Sequence, residues 1–173
     1  MIFRKAVAAD IPAIAAIYSD IHTQEEQGLV TIGWIRDVYP TEQTARASLG
    51  RDDLFVGTED GTVVGAAIIN QTQVDSYKDG HWQFEVPEEQ VMVLHTLVIS
   101  PKSGRQGYGQ QFVEFYEQYA LSQGCRYLRM DTNARNVRAR AMYKKLGYSE
   151  IGIVPCVFNG IEGVQLVLLE KVL

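Results

Sequence analysis

The chain is poor in the residues that build metal, disulfide and membrane chemistry. Its 173 residues hold two cysteines and three histidines. Cys125, Cys156, His22, His81 and His95 fall at no spacing that a metal ligand set uses, so no metal site is expected and the thiols read as buried or incidental. No long apolar span is present. Met1-Ile2-Phe3-Arg4-Lys5-Ala6 runs straight into a strand-like segment without the pattern of a signal peptide, which points to a reducing cytoplasm. Basic residues are few as well: 16 against 21 acidic ones give a formal charge of -5, a balance that argues against a general nucleic-acid or anionic-membrane partner. Carboxylates in turn are missing from one stretch. From Val91 through Val113 there is no Asp or Glu, while Lys102 and Arg105 lie inside it, so an anionic ligand would meet only favourable charge there.

That stretch joins an apolar run, Val91 to Ile99, to a glycine-rich turn, Gly104-Arg105-Gln106-Gly107-Tyr108-Gly109, and then to an amphipathic helix. Phe112, Phe115, Tyr116 and Tyr119 recur at helical spacing, Gln111, Glu114, Gln118 and Ser122 lie opposite, and Gly124 closes the helix. A strand that feeds a helix through glycines can aim several backbone N–H groups, and the positive end of the helix, at one anion. An ordinary strand-to-helix loop has the same pattern, and on this segment alone both readings stand. Neither common phosphate motif is present: no Gly-Lys-Ser/Thr follows the glycines, and the order G-x-x-G-x-G is the reverse of the dinucleotide fingerprint.

A second segment runs from Asn133 to Tyr148. Asn136 is a natural N-cap, Lys144 and Lys145 suit the negative end of a helix, and Gly147 supplies its stop. Asn136, Ala139 and Tyr143 share one stripe, with a small residue between two polar ones, so a ligand could lie close to the helix. A buried aromatic beside a plain cap fits the same stripe.

Together the two segments resemble the GNAT superfamily of acyl-CoA-dependent N-acyltransferases. The resemblance rests on Leu97-Val98-Ile99-Ser100-Pro101, then Gly107-Tyr108-Gly109, then Asn136-x-x-Ala139-x-x-x-Tyr143-x-x-x-Gly147-Tyr148. It implies an α/β (α+β) fold, with a mixed, mostly antiparallel central sheet flanked by helices, in a single domain spanning 1–173. It also implies acetyl-CoA as cofactor, with the strand at Leu97, Val98 and Ile99 pairing with the pantetheine arm. Arg105, Gln106, Gly107, Tyr108, Gly109 and Gln110 would form the phosphate cradle, and Asn136, Ala139 and Tyr143 would flank the cofactor. One position departs from the family's Arg/Gln-x-x-Gly-x-Gly/Ala pattern: Gly104 stands where Arg or Gln is usual, so a side-chain contact is lost while the backbone donors remain.

The remaining pattern fits that layout. Ile2 to Val7 reads as a strand; Asp10 caps a helix carrying Ile14, Ile17, Tyr18 and Ile21 on one side; Thr41 to Leu49 is a weaker helix. Leu54 to Thr58 and Val63 to Asn70 form a hairpin across Glu59-Asp60-Gly61-Thr62. Gln71 to Glu89 is a polar and aromatic excursion, Cys125 to Thr132 is a strand, and Ser149 to Val157 pairs with Gly163 to Val172 through Asn159-Gly160.

Acyl transfer to an amine needs a neutral nucleophile, a polarised carbonyl and a proton for the leaving thiolate. Tyr143 suits the last role, since a phenol with a pKa of about 10 stays protonated at neutral pH and its ionisation would bring an alkaline fall in activity. For the base there are three candidates. His95 lies two residues before Leu97, where the resembled family often carries one, yet Val91, Val93, His95, Leu97 and Ile99 share a face by alternation, which fits a satisfied core histidine equally. Glu85 and Glu89 are the others, and both also fit a solvated loop. Trp34, Tyr39, Tyr77, Trp82 and Phe84 stand in irregular stretches and could wall an acceptor pocket with Glu85 or Glu89 at its rim; Trp34 and Tyr39 fit loop anchors as well. The expected protein is an acetyl-CoA-dependent N-acetyltransferase acting on a small-molecule or peptide amine. A non-catalytic acyl-CoA sensor and a nucleotide-binding regulatory domain are the alternatives. Acceptor identity, acyl length and homodimer formation are not written in the chain.

Overall fold

Two tight turns set the frame of the sheet. Asp60-Gly61 joins β2 (Leu54–Glu59) to β3 (Thr62–Asn70), and Asn159-Gly160 joins β6 (Ser149–Phe158) to β7 (Ile161–Val172). Both central residues of each turn have positive φ, the geometry whose twist matches the flanking strands. The computed structural model describes residues 1–103 and 106–173. Among them, β1 (Ile2–Lys5), α1 (Ile11–Glu26) and α2 (Glu42–Gly50) precede the first hairpin. β4 (Val91–Ile99), α3 (Tyr108–Ser122), β5 (Tyr127–Asn133) and α4 (Val137–Lys145) lie between the hairpins. The seven strands form one mixed sheet in the order β1-β2-β3-β4-β5-β7-β6, flanked by the four helices. Every neighbouring pair is antiparallel except β4 and β5, which α3 connects as a crossover.

The helices divide between the faces according to their apolar stripes. On one face, Phe112 and Tyr116 of α3 and Tyr143 of α4 pack on Phe55, Met92, Leu94, Met130 and Leu169. The rings of Phe3 and Phe115 stack there at 4.7 Å. On the other face Ile11, Ile14, Ile17 and Tyr18 of α1 cover Leu54, Val56, Ala66, Ile68 and Val98. The excursion of residues 71–90 extends that second layer, with Tyr77 and Trp82 over Val91, Val93 and Leu168. Asp10 precedes α1 as expected, but its carboxylate does not cap the helix. It accepts the Val7 N–H at 2.8 Å and a forked pair from Arg4 at 2.7 and 2.9 Å, tying β1 to the helix start.

The feature that matters most is a parting in the middle of the sheet. β4 and β5 pair only from Val91↔Tyr127 to Leu94↔Met130, although β4 continues to Ile99 and β5 to Asn133. On its other side β4 carries a bulge: Val98 opposes Ala66 but His95 opposes Ile68, so β4 has one residue too many, and Thr96 takes it up with φ 50°. The bulge corrects the alternation expected from sequence. Val91 and Val93 face the α1 side, whereas Leu97 and Ile99 pack against the α3 and α4 side, because the extra residue reverses the faces beyond it.

At the root of the parting, the buried Tyr116 hydroxyl of α3 lies 2.6 Å from the Met92 carbonyl and 3.2 Å from the Arg129 carbonyl, bridging the last paired stretch of the two strands. Tyr116→Phe removes that bridge and leaves two buried carbonyls less satisfied. We expect it to cost about 1–3 kcal/mol of stability, read from urea unfolding at unchanged m-value. A loss below a few tenths would show that the strands hold without it.

Candidate active site

The parting opens a cavity of about 1380 Å³ lined from both faces of the sheet. On the α3 and α4 face, Gly107 stands at the N-terminus of α3 with φ 74°, the left-handed region that a residue with a Cβ avoids. A Cβ added there would occupy open space rather than protein, so the concavity in front of the helix is left clear by the missing side chain. Gly109 brings α3 against α4: a Cβ at that position would lie 3.3 Å from Met142 Sδ. Gly107, Tyr108, Gly109 and Gln110 all line the cavity. Gln106 stands just outside it, exposed, its amide oxygen accepting from the Tyr108 hydroxyl at 2.8 Å. Gly104 and Arg105 lie outside the described residues.

Opposite the cradle, Leu97, Val98 and Ile99 line the cavity where β4 has lost β5 as a partner. Strand backbone without a neighbouring strand offers N–H and C=O groups to an extended ligand. Asn136 caps α4, its Oδ1 accepting the Ala139 N–H at 3.2 Å, and both residues lie on the cavity wall with Tyr143. Tyr143 is buried, its ring edge-on to Tyr148 at 6.0 Å. Burial, then the Asp131 charge, hold its phenol well above the usual range, so the alkaline fall in activity expected from an ordinary phenol is displaced to higher pH.

The α1 and α2 face carries the other half. Trp34 and Tyr39 line the cavity with rings edge-on at 6.1 Å. The Tyr39 hydroxyl bonds the Thr96 hydroxyl at the bulge, and burial pushes its phenol up to about 12. The segment from Leu29 to Trp34 roofs this side. The Glu25 carboxylate accepts the N–H groups of Ile32 and Gly33 at 2.6 and 3.0 Å, and the Thr31 hydroxyl donates to the Arg135 carbonyl at 2.9 Å.

Sequence reasoning missed the group with the strongest claim to chemistry here. Asp131 is the first residue of β5 beyond the last pair with β4, and it is the one carboxylate on the cavity wall among the described residues. Burial raises it to about 7, against the pull of a 2.9 Å hydrogen bond from the Tyr77 hydroxyl. His95 also lines the cavity, but burial pushes it down to about 4, and its Nε2 lies 3.1 Å from Asn70 Oδ1. It is neutral at pH 7 and weakly basic. The other expected residues sit elsewhere. Trp82 and Glu85 line a separate cavity of about 500 Å³. The Arg129 guanidinium stacks 4.0 Å over the Trp82 ring, and Trp82 Nε1 donates to the Tyr77 carbonyl at 2.8 Å, so the excursion is pinned away from the main cavity. Glu89 is exposed, and its carbonyl accepts from the Gln71 amide at 2.6 Å.

The model of a family described as the acetyltransferase (GNAT) family matches residues 14–148. Among solved structures, a GNAT-family acetyltransferase from Streptococcus agalactiae is similar at a TM-score of 0.83 and 22% identity, covering 99% of this chain and 95% of that one. A ribosomal-protein-alanine N-acetyltransferase from Brucella melitensis is similar at 0.73 and 18%, covering 100% of both chains. The yncA structure of Salmonella typhimurium, solved with its cofactor acetyl-CoA, is similar at 0.71 and 17%, covering 99% and 93%. No curated protein matches the chain in sequence.

The raised Asp131 carboxyl has a consequence for stability. Its folded-state value of about 7 lies above the ordinary 3.8, so folding favours the protonated form and the group costs stability as pH rises through that window. Asp131→Asn keeps an acceptor for Tyr77 and removes the charge. Thermal unfolding should show the variant gaining on the parent from pH 4 to pH 7, by up to about 1.4 kcal/mol per pH unit, and holding the gain at pH 8. Equal differences at pH 4 and pH 8 would mean that Asp131 titrates normally.

Proposed function

The chain belongs to the GNAT acetyltransferase family, whose acyl donor is acetyl-CoA, and from that footing we propose that it is an N-acetyltransferase in which a primary amine attacks the donor's thioester directly and Tyr143 donates its proton to the departing sulfur. The observation that carries this reading is the single cavity shared by the glycine cradle, the stretch of β4 that β5 leaves and the Tyr143 side chain. The residues fit the donor. The cradle offers backbone N–H groups at a helix start for a pyrophosphate, the free edge of Leu97 to Ile99 suits the amides of a pantetheine arm, and Asn136 and Ala139 flank the path toward Tyr143. Bound there, acetyl-CoA supplies an electrophilic carbonyl carbon and a thiolate leaving group.

The chain's own groups then have separate tasks. The β4 backbone beyond the bulge supplies N–H donors to a carbonyl oxygen as it becomes anionic. The Asp131 carboxylate receives the incoming ammonium and takes its proton. The Tyr143 hydroxyl, kept protonated by burial, donates toward sulfur. Both groups line the same cavity, and the proton that Asp131 takes balances the one that Tyr143 gives up. Trp34, Tyr39 and Phe158 add apolar surface to the same wall. Two free thiols, Cys125 and Cys156, and the donor itself suit a reducing, cytoplasmic setting.

A coenzyme A release assay against amino acids, polyamines, aminoglycosides and peptide N-termini tests the reaction. With a confirmed acceptor, Tyr143→Phe should fold, bind acetyl-CoA nearly as the parent does, and lose about ten- to ten-thousand-fold in kcat. Full turnover in that variant would leave water as the proton donor. Gly107→Val should lower acetyl-CoA affinity by about tenfold or more in calorimetry, because a β-branched residue is strained at that φ and its side chain would fill the cradle. Unchanged affinity in a folded variant would place the phosphates elsewhere.

A further inference from the structure

β3 and β4 are antiparallel neighbours paired at Asn70↔Val93, and a hairpin loop of about two to five residues would be enough to join them. The chain spends residues 71–90 instead. Ordering that much backbone costs entropy that a short turn avoids. What the insertion gains is a grip on β5. Arg129 and Asp131, next but one to each other on that strand, are both engaged by it. The Arg129 guanidinium stacks 4.0 Å over the Trp82 ring, donates to the Phe84 carbonyl at 3.0 Å and also donates to the Gln73 amide oxygen. The Gln83 N–H donates at 2.8 Å to the buried carboxylate of Glu170, the register partner of Arg129 on β7. Gly80 packs on Leu168, the register partner of Asp131, so closely that a Cβ there would stand 2.5 Å from Leu168 Cδ1.

Tyr77 falls between these anchors and is buried. Its carbonyl accepts the Trp82 Nε1–H at 2.8 Å and the Gly80 N–H at 3.1 Å, and its ring lies 5.1 Å from that of Trp82. Its hydroxyl donates to Asp131 Oδ2 at 2.9 Å, although Tyr77 itself is not on the wall of the main cavity. Asp131 Oδ1 accepts no hydrogen bond among the described residues.

We propose that residues 71–90 position the base: the Tyr77 hydroxyl holds one Asp131 oxygen so that the other is presented to the acceptor's ammonium, and the Arg129–Trp82 stack holds Tyr77. The assignment rests on the acetyltransferase reading above and deepens it. A carboxylate on the wall of a wide cavity is free to turn about its terminal bond, and a donor fixed behind it removes that freedom. Tyr77 reaches the acceptor only through Asp131, so it is a positioning residue. The other groups that feel the Asp131 charge are the Tyr39 and Tyr143 phenols, both kept protonated by burial. On β4, His95 is neutral at pH 7. Of the cations, Arg129 is turned to Trp82 and Arg51 is forked on Asp53. A hydrogen bond to the charged form favours that form, so loss of the Tyr77 donor raises the pH at which Asp131 ionises.

The test is the pH dependence of kcat/KM for coenzyme A release, with an acceptor found in the screen above, in the parent and in Tyr77→Phe. The acid limb should move up by about one pH unit, so that the variant loses about tenfold at pH 6.5 and less than about twofold at pH 9. The carboxyl ¹³C resonance of Asp131, assigned by its absence in Asp131→Asn, should titrate at a pH higher by the same step. A loss that is equal at every pH, or a carboxyl titration that does not move, overturns the assignment while leaving the acetyltransferase standing. Trp82→Leu withdraws the ring under Arg129 and the donor to the Tyr77 carbonyl, and should move the limb the same way by a smaller step. It decides on the same terms if Tyr77→Phe does not fold. No release from the parent with any acceptor removes the acetyltransferase reading and this assignment together.

Discussion

A single extra residue in β4 is what the rest of the molecule is arranged around. Without the bulge at Thr96, β4 would continue to pair with β5 and bury its backbone in the sheet, as strands do wherever a partner is available. With it, the strand bends, the faces of its side chains reverse, and the two central strands separate after Leu94 and Met130. A non-glycine residue at positive φ costs energy, and the surroundings hold it: the Thr96 side chain is bonded by Tyr39 from above, and Tyr116 clamps the strands immediately below the point of separation. Each later feature inherits its position from this one. Leu97 is turned to the α3 and α4 face, His95 is left on the other, and Asp131 loses a strand neighbour on the β4 side.

The electrostatics of the opening reflect a compromise between stability and reaction. An alkylamine with a pKa of about 10 is neutral in on the order of one molecule in a thousand at pH 7, so a base must take its proton. An exposed carboxylate would do so against a gap of about six pKa units, whereas Asp131 at about 7 halves that gap. His95 at about 4 would do no better than an exposed carboxylate. The same burial that makes Asp131 useful makes it costly to fold, and the Tyr77 hydroxyl recovers only part of the loss.

Much of this arrangement is legible in the residues and the rest is not, for physical reasons. The strand at Val91 to Ile99, the helices after Gly107 and Asn136 and the closing hairpin are each set by local chemistry: an apolar run, a left-handed glycine, an N-cap, an Asn-Gly turn. Those signals also reach the part of the cavity that the proposed reaction gives to the donor, which is built mostly from backbone. The α1 and α2 part is built from side chains that tertiary packing brings together. Thr96 carries no mark of its positive φ, and Asp131 alternates with Arg129 on what reads as a polar face until residues 71–90 fold over it. Trp82 and Glu85 look no different from Trp34 in sequence, and only the Arg129 guanidinium over the Trp82 ring shows that they are tied down in another place.

The cavity is lined from both faces of one sheet, and in the proposed reaction this bears on traffic. In the proposed reaction the donor and the acceptor approach from different sides, so neither blocks the doorway of the other. A pocket with one mouth imposes a queue, in which the first molecule in is the last out. A passage through a sheet imposes none: the spent thiol can back away along α3 and α4 while the acetylated product departs past Tyr39 and Trp34, in either sequence. An acetylated product that competes with the acceptor, and coenzyme A that competes with acetyl-CoA, would be the kinetic signature of such a passage, since a strict queue makes the first product out non-competitive with both substrates.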